Sequence, residues 1–218
     1  MSEQNLWSKI KPRDGKIPLD KVGKAWNTLK ELMNSPVQTP AGRTIADATA
    51  FIMLTGCRLN EAAALTWDHI NIKDKWWHLD DPKNHRAVTF PLSETAIQTI
   101  NDRPKINEFI FASKGKLGHI TEIRTPMIKI SEAIGYKISA HDLRRTFKAI
   151  AVENQIEKWK FDLLTNHQAS EVSTKHYLET SDLQYLKSEI NIIAEWIKEQ
   201  ATIAASENVI PMPDKKRA

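Results

Sequence analysis

One change of rhythm constrains the fold of this chain more than anything else in it. Apolar residues recur at helical spacing through most of the sequence, and the pattern breaks between Ile70 and Leu92. Leu19, Val22, Ala25, Trp26, Leu29, Leu32 and Met33 mark a first helix with Asp20 as its cap, ended by the Pro-rich stretch 35–40. A second helix, rich in Ala and placed at about 45–54, reads as central. Thr55-Gly56 stops it, and a short helix starting near Asn60 carries Glu61. Between the two helical blocks, Ile72, Trp76-Trp77 and Leu79, then Ala87 to Leu92, read as strands, with turn chemistry at 80–85 between them. One of Trp76 and Trp77 must face away from the other, because strand side chains alternate. Further helices are predicted at about 93–101, 121–134, 139–154, 157–166, 171–177 and 181–199. The expectation is a mainly α chain with one small antiparallel β-sheet. Residues 1–17 read as an arm or linker, 18–200 as one domain, and 201–218 as a flexible tail.

The 218 residues are enough to bury a substantial core. No run of 18 apolar residues occurs, and the N-terminus lacks a charged-then-apolar leader, so a cytoplasmic location is the default expectation. The single cysteine, Cys57, excludes an internal disulfide and a cysteine-rich zinc site. A net charge of +4 permits binding to nucleic acid and does not demand it.

Candidate chemistry sits on a few short motifs. Ala140-His141-Asp142-Leu143-Arg144-Arg145-Thr146-Phe147 puts His141 and Arg144 on one helix face. Thr55-Gly56-Cys57-Arg58-Leu59-Asn60-Glu61 lies upstream. His167 follows, and Tyr177 stands ten residues beyond it. Together they supply two guanidinium forks, two imidazoles and a phenol. A planar guanidinium offers fixed bidentate donors to a phosphate and keeps its charge. A phenol is a covalent nucleophile once its proton is drawn off. The other tyrosines are placed less well: Tyr136 precedes the His141 helix, and Tyr185 falls within the final amphipathic stretch. Each motif alone has a plain structural reading. Arg58 and Glu61 could be a surface ion pair, His167 a helix-end histidine, and Lys83 one of several solvated cations beside Lys73, Lys75 and Arg86.

In this order, Arg58 with Glu61, Lys83, His141-x-x-Arg144, His167 and Tyr177 resemble the tyrosine recombinase (phage integrase) family over roughly residues 20 to 200. The resemblance implies that Tyr177 attacks a DNA phosphate to give a 3′-phosphotyrosine. It implies that Arg58, Arg144, His141 and His167 stabilise the transition state, and that Lys83 protonates the leaving oxygen. Glu61 would stand behind the arginines and orient the site. Arg86, Arg145 and Lys148 are expected to contact DNA. No cofactor and no metal are implied. The family writes Leu-Gly-His before the second histidine, whereas here the residues are Leu164-Thr165-Asn166-His167. Asn tolerates the left-handed backbone that Gly would occupy there.

Implied partners are a double-stranded DNA attachment site, a homotetramer assembled on it, and accessory DNA-bending proteins, with no membrane. Family members usually carry an N-terminal DNA-clamping domain as well, so the chain reads as a catalytic fragment or a minimal form. The stripe Leu183, Leu186, Ile190, Ile193 and Ile197 either packs on its own domain or reaches a neighbouring subunit. Two rivals keep part of the pattern: a DNA-binding module without catalysis, and a type IB topoisomerase-like enzyme that relaxes strands.

Overall fold

A computed structural model describes residues 15–80, 87–101, 103–167 and 180–207. Its centre is helix α2 (Pro40–Thr55), in which every residue from Ala46 to Thr55 is buried. A helix apolar on all sides has to be surrounded. It is, by α1 (Leu19–Asn34), α4 (Glu94–Asn101), α5 (Arg124–Ile134) and α6 (Ala140–Glu153). Helix α2 starts five residues earlier than its apolar pattern indicates. Pro40 sits at the first turn, where a missing N–H costs nothing, and the Thr39 hydroxyl accepts from the Gly42 N–H at 3.0 Å. Helix α1 begins after Pro18, so Asp20 lies in its first turn and is not its cap.

Strands β1 (Ile70–Asn71), β2 (Trp76–Leu79) and β3 (Val88–Pro91) form an antiparallel sheet in sequence order. Trp77 pairs with Phe90 across it, and their rings stack at 4.7 Å. Trp77 also meets Phe51 of α2 edge-on at 5.7 Å, which seats the sheet on the central helix. Trp77 is 1% exposed and Trp76 lies half-buried on the opposite face, as strand alternation requires. The edge strand β3 takes up one more segment. Thr89 N–H donates to the Ser181 carbonyl and Leu183 N–H donates to the Thr89 carbonyl, each at 2.8 Å.

The ends of the chain depart most from expectation. Ile17, read as part of an arm, is fully buried, and its N–H donates to Thr146 Oγ1 at 2.8 Å. The last helix runs Lys187–Glu207, past the end expected near 199, because it lies along α1. Asn27 Nδ2 donates to the Ala201 carbonyl at 2.7 Å, and Ala201 is 2% exposed. A Cβ at Gly23 would stand 2.0 Å from the Gln200 carbonyl, so the two helices touch backbone to backbone there. The stripe Leu183, Leu186, Ile190, Ile193 and Ile197 is buried within the same chain, which decides between its two readings. The helix expected at 171–177 lies outside the described residues. Among the described residues no helix is long and apolar enough to cross a membrane.

Candidate active site

The turn at the end of α2 builds one wall of a cleft. Gly56 holds φ +66°, a left-handed conformation that stops the helix, and its N–H closes onto the Ile52 carbonyl at 2.9 Å. A Cβ on Gly56 would sit 2.7 Å from Phe147 Cδ1 and 2.9 Å from Thr165 Cγ2. Gly56→Ala therefore combines an unfavourable φ with overpacking. It is expected to cost about 2–4 kcal/mol and to lower Tm by roughly 5–15 °C. Thermal unfolding checks this, and an unchanged Tm would contradict the tight turn.

Beyond the turn, Arg58 starts the short helix α3 (Leu59–Ala63). Glu61 holds it twice: Oε2 accepts from the Arg58 N–H at 2.7 Å, and Oε1 accepts from Arg58 Nη1 at 2.6 Å. The carboxylate thus caps the helix and aims the guanidinium at once. Arg58 Nη2 also reaches the Asn166 carbonyl at 3.5 Å. Asn166 has φ +47°, the left-handed position that Asn was expected to tolerate in place of Gly. His167 follows it, exposed, just beyond α7 (Lys158–Leu164), with its N–H donating to the Asp162 carbonyl at 2.8 Å.

The opposite wall is the first turn of α6. Asp142 caps it by accepting from the Ser139 N–H at 2.8 Å and the Ser139 hydroxyl at 2.9 Å. His141 is exposed at this end and Arg144 lies one turn further in, 5% exposed. Arg144 Nη1 donates to the Gly56 carbonyl at 2.9 Å. Its Nη2 is buried with no hydrogen-bond partner among the described residues. Cys57, Arg58, Leu59, Asn60, Ala140, His141 and Arg144 together line an open cleft of about 270 Å³. The positive end of α6 borders it and adds to the two guanidinium charges.

The electrostatics favour an anion. Burial first, and the Arg58 charge second, push the Arg144 guanidinium down to about 10. It stays cationic at neutral pH, yet both effects act against its charge, and a bound phosphate would offset both. Burial, then Arg145 and Arg144, lower His141 below the ordinary imidazole value, so near neutral pH its ring is mainly uncharged. A neutral imidazole can both donate to and accept from a phosphate oxygen or a reacting hydroxyl. Burial pushes the Cys57 thiol up to about 12, which leaves it an inert part of the wall.

Arg58, His141 and Arg144 are therefore brought to one place, with Glu61 behind Arg58 and the His167 turn attached through Asn166. Lys83, Arg86 and Tyr177 lie outside the described residues, as does His176 next to the tyrosine. Of the cations expected to contact DNA, Arg145 is exposed beside Asp142 at 3.7 Å. Lys148 donates to Asp162 at 2.8 Å, and Lys158 pairs with the same carboxylate. Two contributors were missed by the sequence reading. The Gly56 carbonyl holds Arg144, and Asp162, held below the usual carboxylate range by Lys148 and Lys158 against the effect of burial, fixes the His167 turn to α6. Among the described residues no group of three His, Cys, Asp or Glu side chains is arranged to hold a metal.

The sequence matches the model of the phage integrase family over residues 26–184, a span that includes both walls of the cleft. The chain belongs to that family. A prophage integrase of Escherichia coli K12, IntF, is 25% identical over 199 residues, covering 85% of this chain and 40% of that protein. The chain thus spans less than half the length of this relative. Its fold is similar to that of the integrase from mycobacterium phage Brujita, with TM-score 0.60, 18% identity, and 88% of this chain and 65% of that one covered. The XerH recombinase bound to difH gives TM-score 0.58 at 15% identity, covering 94% and 55% of the two chains. A λ integrase dimer bound to a core site gives 0.50 at 18% identity, covering 78% and 63%.

Proposed function

We propose that this chain is the catalytic part of a site-specific DNA recombinase that cuts and rejoins strands through a 3′-phosphotyrosine. The observation that carries the reading is Arg144, which lines one cleft with Arg58 and His141 and whose buried Nη2 has no hydrogen-bond partner among the described residues, in a phage integrase family fold. A guanidinium buried without an anion is costly, and a phosphodiester supplies the partner that it lacks.

The Tyr177 phenolic oxygen attacks the scissile phosphorus as its proton leaves to water or an imidazole. The new O–P bond forms, the P–O5′ bond breaks, and its electron pair stays on the 5′ oxygen. The Lys83 ammonium then protonates that oxygen. One phosphodiester replaces another, so the exchange is nearly balanced in energy and needs no nucleotide. Negative charge builds on the non-bridging oxygens in the transition state. Arg58 and Arg144 are preorganised against it, assisted by His141 and His167. Return of the intermediate to a 5′ hydroxyl of another strand completes recombination.

The substrate is a double-stranded DNA attachment site. The working unit is a homotetramer in the cytoplasm, with accessory DNA-bending proteins as further partners. Structural relatives bound to DNA as dimers and tetramers support this reading. With two arginines in the place a Lewis acid would fill, cleavage is expected to continue undiminished in excess EDTA. A cleavage assay with and without Mg²⁺ checks this, and dependence on the metal would remove the arginine-only mechanism.

A further inference from the structure

The turn that carries His167 belongs to a helix too short to stand by itself. Helix α7 has seven residues, well under the length at which an isolated helix holds in water. It closes around left-handed Asn166. The Asn166 N–H donates to the Leu163 carbonyl and the His167 N–H donates to the Asp162 carbonyl, each at 2.8 Å. Where His167 stands is therefore set by where Asp162 stands. Asp162 is 4% exposed, and its Oδ1 accepts from Lys148 Nζ of α6 at 2.8 Å. Its Oδ2 is taken by Lys158, from its own helix. Lys148 lies one turn beyond Arg144, so the cation that binds Asp162 and the guanidinium of the cleft ride on one rigid helix.

We propose that the Lys148–Asp162 bond is a positioning device for strand transfer, fixing the His167 turn relative to Arg144 and His141. The inference rests on the reading of His167 as a donor to the transition state. Lys148 is fixed to α6 and Asp162 to the turn, and neither touches the reacting atoms. Lys158 satisfies the same carboxylate but stays within α7, so it balances the charge without holding the turn to α6. A misplacement of about 1 Å can cost about 10² in rate, so a link of this kind reaches the chemistry from outside the cleft.

The test removes one lysine at a time from the same carboxylate. Lys148→Met keeps the length of the stem and leaves Asp162 paired with Lys158, so no buried charge is stranded. At saturating DNA its single-turnover cleavage should fall about tenfold, while DNA affinity by gel shift stays within about twofold of the parent. Lys158→Met, at a side chain that is 77% exposed, should stay within about twofold in both. Lys148→Arg, which still reaches the carboxylate, should recover most of the rate. Asp162→Asn should lose rate as Lys148→Met does, and a buried acidic residue cannot be a phosphate contact. The same changes are then made in a His167→Ala background. His167→Ala alone should slow cleavage by about 10². Lys148→Met should add less than about twofold to that, because residues acting through one group are not additive. A bond that served stability alone would cost the same in both backgrounds.

Equal effects of Lys148→Met and Lys158→Met, or a Lys148→Met loss undiminished without His167, overturn the proposal. So does a fall in DNA affinity with no loss of rate at saturating DNA, which would make Lys148 a phosphate contact. If His167→Ala leaves cleavage unchanged, the role given to His167 fails and takes the inference with it. If His167→Ala slows cleavage and Lys148→Met does not, only the link is wrong.

Discussion

Replacing Tyr177 by Phe is expected to abolish covalent capture of DNA and to leave DNA affinity within about twofold of the parent. Only the attacking oxygen is lost, so the expected effect on chemistry is total while the phosphate contacts stay. A nicked duplex that releases a short strand after cleavage traps the adduct, and a gel shift measures binding on the same sample. An adduct still forming with the Phe variant would mean that another hydroxyl attacks. Tyr185 would come next: it is 47% exposed and eight residues further along.

Arg144→Ala is expected to slow cleavage at saturating DNA by about 10³ or more. A single preorganised donor contributes about 10²–10³, and Arg144 brings a charge as well. Its Nη1 is fixed by the Gly56 carbonyl and the residue lines the cleft, so the guanidinium is set before substrate arrives. Arg144→Lys should recover little, because a single ammonium cannot hold the Gly56 carbonyl and also span two phosphate oxygens. Stability should change little, since truncation also removes a charge that burial disfavours. A loss under tenfold in single-turnover cleavage would count against the clamp. Gly56→Ala makes a useful contrast, because there the loss of stability is expected to come first.

The two variants mark how far the sequence could be read. Gly56 and Asn166 were legible because a left-handed residue leaves a local signature, and both stand where the backbone needs it. His141 and Arg144 were legible from their spacing on one helix. The sheet could be read from strand alternation, which set Trp76 and Trp77 on opposite faces without telling which of them is buried. What could not be read depends on contacts between residues far apart in sequence. The anchoring of Arg144 is one example, since its partner is a backbone carbonyl 88 residues away. The extent of the last helix is another: its final turns lie along α1, with Ala201 buried and bonded to Asn27. The pairing of Lys148 with Asp162 is a third, since the two sit on different helices.

In the proposed mechanism Tyr177 forms the covalent bond to DNA. The most direct test is to trap the adduct in EDTA, digest the DNA and the protein, and sequence the modified peptide by tandem mass spectrometry. Trypsin should release His176–Lys187, which holds both Tyr177 and Tyr185, so fragment ions can tell the two apart. The expected result is a nucleotide joined through its 3′ phosphate to Tyr177. A nucleotide on Tyr185, on any serine or at a 5′ linkage, or no adduct at all, would contradict it.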